Sequence, residues 1–335
     1  FSGNKKGVTL FTTLNETATP MGSRLLSQWI RQPLLSSQLI TERYEALDDL
    51  LSNQDCLNTV QSQLKQIRDM ERLLSKITCG VCSAKEVVAL KESLTAVPAI
   101  KNTISALQAP LIKKQHRELF DLKDLVSLIE QSLVDNPPLS TKEGGFIKKG
   151  YHAELDEIRD KAQNGKKWIA GFQNSERQKT GVKSLKVSYN RVFGYYIDVT
   201  KANLSSVPEH YIRKQTLVNS ERFITPELKE MENSILGAEE KAHALEYELF
   251  EVIRQTLLNY IPEIQSISEA LAFLDVLASL ATVAKNRNYV KPEIDGSSTI
   301  VIKGGRHPVV EQVIEEGHFI ENDTWIDRTG HQLLI

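Results

Sequence analysis

Ser184-Leu-Lys-Val-Ser-Tyr-Asn-Arg-Val-Phe-Gly-Tyr-Tyr-Ile-Asp-Val-Thr200 reads as two strands joined by a turn. Leu185, Val187 and Tyr189 alternate with Lys186 and Ser188. Asn190-Arg191-Val192-Phe193-Gly194 then reverses the chain, and Tyr195, Ile197 and Val199 alternate with Tyr196, Asp198 and Thr200. Period-two alternation around a Gly- and Asn-bearing turn predicts an antiparallel hairpin. A third strand is expected around Tyr211 to Val218.

On both sides the apolar period changes to that of a helix seam. After the hairpin, Leu228, Met231, Ile235, Ala238, Ala242, Leu245 and Leu249 alternate steps of three and four, continuing to Ile253 and Leu257. Thr225 is placed to cap this helix with Pro226 at its first position, and about 30 residues at 1.5 Å each make an arm of roughly 45 Å. Before the hairpin, Leu155, Ile158, Ala162, Ile169 and Phe172 keep the same steps, with Gly165 the weak link. Two narrow apolar stripes are buried most simply by pairing the helices antiparallel, with a small antiparallel sheet at their tip.

The first 150 residues read as shorter helices. Thr19-Pro20 predicts an N-cap with proline at the first helical position, followed by Met21, Leu25, Leu26, Trp29 and Ile30 until Pro33. Helices are expected over Leu39–Leu51, Leu64–Ile77, Ala84–Ala96, Pro98–Leu107 and Asp121–Leu133, until Asn136-Pro137-Pro138 and Gly144-Gly145 break the pattern. Beyond Asp295-Gly296 a β-rich run, Thr299 to Lys303, leads into Gly305-Arg306-His307-Pro308 and ends at Gln332-Leu333-Leu334-Ile335. Such a start without methionine and an end on an apolar run are expected of an excised piece.

The chain of 335 residues is 41% hydrophobic and 25% charged, with a net charge of −2. That is ample for two or three cores, and no run is read as approaching the roughly 20 apolar residues of a membrane span. The cysteines, Cys56, Cys79 and Cys82, cannot build a disulfide framework. Cys79-Gly-Val-Cys82 lacks a second ligand pair for zinc, so no metal site is assigned.

Charge is segregated. From Glu176 to Arg222 nine basic residues face four acidic ones, a local balance of about +5. Lys186, Asn190, Arg191, Arg213, Lys214 and Asn219 offer the point charges, forks and amides that hold phosphate oxygens without reading bases. The same lysines and arginines also suit a solvated sheet edge guarded against aggregation. Tyr189, Phe193, Tyr195, Tyr196, Tyr211 and Phe223 could stack on single-stranded bases but are better suited to the core of the sheet. Arg306-His307-Pro308 has no nucleophile or paired carboxylate beside it and reads as a structural turn. No GxxxxGK[ST] loop occurs, so this stretch alone is not expected to hydrolyse ATP.

Four stretches carry a resemblance covering nearly the whole chain: Leu14-Asn-Glu-Thr-Ala-Thr-Pro-Met-Gly-Ser-Arg-Leu-Leu26; Leu185-Lys-Val-Ser-Tyr-Asn-Arg-Val-Phe-Gly-Tyr-Tyr-Ile197; His210-Tyr-Ile-Arg-Lys-Gln-Thr-Leu-Val-Asn-Ser-Glu-Arg-Phe-Ile-Thr-Pro-Glu-Leu-Lys229; and Gly305-Arg-His-Pro-Val-Val-Glu311. The chain resembles the MutS family of DNA mismatch-repair proteins, in its bacterial form. The resemblance implies a mainly α fold: a helical core over 1–150 and 256–290, lever arms over 151–255 with a β clamp near 183–225, and over 291–335 a truncated, β-rich stub of an α/β ATPase domain. It implies that the clamp grips double-stranded DNA through phosphate contacts near Asn190, Arg191, Arg213, Lys214 and Asn219, and that the levers couple ATP state to clamp opening. By the same resemblance Phe319, followed by Ile320, packs on adenine. The resemblance further implies that the intact protein uses ATP and Mg and is a cytoplasmic, nucleoid-associated homodimer with a MutL-type repair partner. The family's mismatch-reading wedge, Phe-x-Glu, has only a chance match at Phe319-Ile320-Glu321. A helical-hairpin module that binds a protein partner is the alternative.

Overall fold

The computed structural model of the chain describes residues 7–190, 192–314, 319–328 and 330; Arg191 lies outside them. In chain order the helices before the long arm are α1 (Leu10–Leu14), α2 (Pro20–Arg31), α3 (Ser37–Ser52), α4 (Gln54–Leu64), α5 (Met70–Thr78), α6 (Ala84–Ile104), α7 (Pro110–Glu118) and α8 (Lys123–Ser132). Then come α9 (Ala153–Thr180), the strands β1 (Lys186–Asn190), β2 (Gly194–Thr200), β3 (Ile212–Thr216) and β4 (Ser220–Ile224), and the helices α10 (Pro226–Leu258) and α11 (Ile261–Asn286). A last antiparallel pair is β5 (Ile300–Gly305) with β6 (Asn322–Ile326). The fold is mainly α, as expected. The described residues divide into two compact units, one drawn from Phe1–Cys82, Glu86–Ser127 and Thr256–Ile335, the other from Ser83–Lys85 and Leu128–Gln255.

In the first unit α11 is the core, packed by α2, α3, α4, α5 and α7. By length and composition α11 could cross a membrane, which corrects the reading that no run is apolar enough. Its most apolar stretch is 72% buried inside the unit, so the apolar surface is consumed by neighbouring helices. Trp29 meets Phe273 edge-on at 4.9 Å, and the Arg43 guanidinium lies over that indole at 3.4 Å. α2 begins as expected, the Thr19 hydroxyl accepting from the Gly22 amide at 3.0 Å. What anchors this turn was not read from the sequence: the fully buried Asp275 carboxylate accepts from the Ala18 and Thr19 amides at 2.8 Å each and from the Thr19 hydroxyl at 2.6 Å.

Three expectations are corrected. The helix expected over Leu64–Ile77 begins only at Met70, because Asp69 caps the Arg72 amide and the Ser93 hydroxyl takes the Arg68 amide, and α4, which ends at Leu64, was not expected. Conversely, α6 runs straight through Pro98. Interior proline costs a helix about 3 kcal/mol, and the burial of Leu94, Val97, Ile100 and Ile104 on one face offsets it. α7, polar and short, was missed. Pro110 starts it, and Asp49 fixes the turn before it by accepting from the Gln108 and Ala109 amides.

In the second unit α9 and α10 pair antiparallel, since Arg159 meets Glu246 while Lys166 meets Glu239 and Gly165 meets Ile235. The Thr225 hydroxyl caps α10 at the Leu228 amide, 3.2 Å, as expected. Gly165 is not a weak link but a point of close approach: a Cβ there would overlap Ile235 Cγ1 and lie 3.0 Å from its Cδ1. The buried stripe of α10 also departs from the strict seam, taking in Glu232, Glu246 and Phe250 while Leu245 and Leu249 are only half-buried. Below the arm, Phe146 and Phe250, both fully buried, meet edge-on at 5.7 Å.

Candidate nucleic-acid interface

The sheet has four strands in the order β1-β2-β4-β3, all neighbours antiparallel. β4 was not expected; it lies in the middle of the sheet, and its alternation, Glu221 and Phe223 buried between more exposed neighbours, is the signal that could have revealed it. Directly opposed residues share a face, so the register sorts the side chains. Val187, Ile197 and Phe223 form a row ending at Arg213. This inner face packs on Ile169 and Phe172 of α9 and on Leu228 and Ile235 of α10. Lys186, Asp198, Arg222 and Gln215 form the row on the outer face. There Arg222 lies 4.3 Å over the Tyr196 ring and donates to Gln215 at 2.8 Å.

Buried carboxylates tie the sheet to the arm. Glu232 of α10 accepts from the Tyr195 amide at 2.7 Å, and Gly194, at φ 76°, has no room for a Cβ beside that carboxylate. Glu176 of α9 accepts from the Tyr211 hydroxyl at 2.5 Å and from Lys179 at 2.7 Å. Burial pushes the Glu176 carboxyl up, but these bonds outweigh it and hold the group below its ordinary value. Burial, with the bond to Glu176, raises the Tyr211 hydroxyl well above its own. Lower on the arm, Glu246 accepts from the Gly145 amide and from Arg159. Sequence reasoning missed all three glutamates because a carboxylate inside an apolar stripe looks like a break in the stripe.

The expected phosphate-contacting residues do not converge on one spot. Lys186 is exposed at the start of β1, one edge of the sheet. Asn190, at the far end of β1, spends its side-chain oxygen on the Val192 amide at 2.8 Å, shaping the hairpin turn. Arg213 and Lys214 sit on β3, the opposite edge, where a bulge interrupts the pairing with β4. Arg213, with its side chain 62% exposed, is ion-paired at 2.8 Å to Glu221, which is 7% exposed. Lys214 is exposed, and so is Asn219 in the β3–β4 turn. Among the aromatic residues Tyr211 and Phe223 are buried in the inner core with Tyr195 packed against it, Tyr196 is buried on the outer face beneath Arg222, and Tyr189 and Phe193 are 48% and 38% exposed, so the core reading holds for Tyr195, Tyr211 and Phe223.

Ahead of β6, Phe319 is half-buried and Ile320 is 80% exposed. They offer an apolar surface on which a base could stack, but the chain has no phosphate-cradling loop to complete a nucleotide site. Among the described residues no group of three His, Cys, Asp or Glu is placed to hold a metal ion. Arg306 donates to the Arg287 and Asn288 carbonyls at the end of α11, and the His307 Nδ1 accepts from the Val309 and Val310 amides, so this motif is a structural turn.

A profile of the family "MutS domain III" matches residues 1–281. The chain is 49% identical over 332 residues to the "DNA mismatch repair protein MutS" of Alkaliphilus oremlandii, covering 99% of this chain and 38% of that protein. It is 47% identical over 333 residues to the protein of the same name from Clostridium tetani, and 47% over 332 residues to that of Clostridium botulinum strain 657, covering 38% and 36% of those proteins. The chain thus spans less than two-fifths of the length of these curated relatives.

Proposed function

The chain belongs to the MutS domain III family, and on that premise we propose that it acts in DNA mismatch repair as the lever and clamp region, gripping double-stranded DNA through phosphate contacts without reading sequence. The observation that carries this is the antiparallel pair α9 and α10 bearing a sheet whose strands and turns expose Lys183, Lys186, Lys201 and Lys214, in a chain of net charge −2. Neutralised phosphates release counterions, so affinity falls steeply with salt. In this reading 1–150 and 256–290 are helical core and lever, 151–255 are lever arms with the clamp near 183–225, and 291–335 begin an ATPase domain. Lys186, Lys214 and Asn219, exposed and on the sheet or its turns, are the readiest of the expected contacts. Asn190 and Arg213 are engaged within the sheet.

In the intact protein the arms couple ATP state to clamp opening, because rigid paired helices carry a hinge motion along their length. ATP with Mg, a homodimeric assembly, a MutL-type partner and a cytoplasmic, nucleoid-associated place belong to the same proposal. ATP hydrolysis itself is not assigned to this stretch, whose Phe319 and Ile320 supply at most a surface for the base.

The test is binding of a labelled, fully paired duplex from low to physiological salt. A steep fall supports the phosphate grip. Binding to a protein partner but not to duplex would favour a helical-hairpin interaction module, which the exposure of Val192 (79%) and Val218 (85%) also suits. For the coupling, Ile169→Pro or Leu245→Pro in the intact protein should abolish ATP-driven release from DNA; unaltered release would refute it.

A further inference from the structure

We propose that the duplex backbone is met at one end of the sheet, where the turns 182–185, 200–203 and 217–220 converge, with Lys183 and Lys201 as phosphate contacts that the expected set omitted. The inference rests on the clamp reading above and names the part of the clamp that does the gripping.

Two hydrogen bonds bring these turns together. The Asn203 side-chain amide donates to the Ser184 hydroxyl at 3.1 Å, and the Lys201 amide donates to the Asn219 carbonyl at 3.1 Å. The turns are closed internally as well, Leu185 donating to the Val182 carbonyl and Leu217 to that of Ser220. Lys183, Lys201 and Asn219 are exposed there, and Lys186 begins β1 from the same end. No residue of the three turns is acidic. The nearest carboxylate in the register is Glu221, beside Ser220, which is buried and ion-paired with Arg213; Asp198, opposite Lys186, lies on the outer face.

The other end of the sheet is mixed in charge, since its hairpin carries Arg191 in the sequence and the carboxylate beneath it, Glu232, is ion-paired with Lys229. The hairpin turn there packs against the Glu232 carboxylate, and exposed Glu209 lies just ahead of β3. The β3 edge is weaker too, since Arg213 is already neutralised by Glu221. Cations held close together by a rigid backbone match a polyanion of fixed phosphate spacing better than cations spread over two edges about 14 Å apart, at about 4.8 Å per strand. Charge complementarity therefore selects a nucleic-acid backbone as the occupant of this end.

Duplex binding is measured across salt for the 335-residue chain, for Lys183→Ala/Lys201→Ala and for Lys214→Ala, with thermal midpoints recorded to confirm folding. Each lost phosphate contact lowers the slope of log affinity against log salt by about 1. The turn variant is expected to lose about 2 from the slope and at least tenfold in affinity near 0.1 M salt, with its midpoint unchanged, while Lys214→Ala loses less. A turn variant that binds like the parent, with Lys214→Ala weakened, overturns the inference and leaves the clamp reading standing. A parent chain with no salt-dependent binding defeats the clamp reading, and the inference with it.

Discussion

Gly165 of α9 lies so close to Ile235 of α10 that a Cβ on Gly165 would overlap the Ile235 side chain and come within 3.4 Å of Met231 Sδ. The neighbours of this pair are charged, Lys166 to Glu239 at 2.6 Å, with the Lys166 ammonium raised above its ordinary value by that bond. The helices therefore approach closely where the sequence suggested the arm was weakest.

Alanine in place of a helical glycine gains up to about 1 kcal/mol of helix propensity, but overpacking costs about 1–3 kcal/mol. Gly165→Ala should destabilise the chain, and Gly165→Ala/Ile235→Ala should recover part of the loss. A denaturant double-mutant cycle measures the coupling; additive effects would mean that the helices do not touch here.

The sequence showed elements where local chemistry decides them. Thr19-Pro20 and Thr225-Pro226 start helices because a hydroxyl cap and a fixed φ act within a few residues. Asn190 to Gly194 reverses the chain for the same kind of reason. Decisions taken by distant groups were not legible. Ser93 and the buried face of α6 helped decide where helices break or continue, and nothing near Leu64 or Pro98 in the sequence encodes those partners, whereas the Asp69 cap of α5 is a local signal that was passed over. The candidate site suffered in the same way: composition gave the basic block, but only the register separates Lys186 from Arg213 and shows Arg213 spent on Glu221.

The Glu176–Tyr211 bond gives the tip a pH window. The Glu176 carboxyl is depressed on folding, so its contribution is present above the ordinary Glu value of about 4.3 and is lost as pH falls through the lowered value. The Tyr211 hydroxyl is raised on folding, so its contribution is complete below about pH 10 and declines as pH climbs further. Tyr211→Phe should cost about 2 kcal/mol at neutral pH and flatten the alkaline decline. Unfolding midpoints from acid to alkaline pH check both limbs; a variant with an unchanged profile would show that the bond contributes nothing.

Asp275 has the reverse sign. Burial raises its carboxyl above the ordinary range despite the bonds from Thr19 and Ala18. Charging it in the folded state therefore costs stability, and the cost is relieved as pH falls through the raised value. Asp275→Asn removes that cost but turns an amide donor toward backbone donors, leaving one of them unpaired at about 1–3 kcal/mol. The expected result is a net loss in stability at neutral pH that grows toward acid, where the parent is relieved of its charging cost and the variant is not, read by denaturant midpoints, with the amide of Thr19 exchanging faster with solvent.

Arg213 offers the sharpest separation of structure from function. Its partner Glu221 is nearly inaccessible, so Arg213→Ala strands a carboxylate in the sheet, whereas Arg213 itself is mostly in water and its half of the pair is screened. The net cost should be about 1–2 kcal/mol. Glu221→Gln in the same background removes the stranded charge and should restore most of that stability without restoring any positive charge. If duplex affinity follows stability through this cycle, falling in Arg213→Ala and recovering in Arg213→Ala/Glu221→Gln, Arg213 serves the DNA only by holding β3 to β4. Affinity that stays low in the double variant would instead show that the guanidinium leaves Glu221 for a phosphate when DNA is bound.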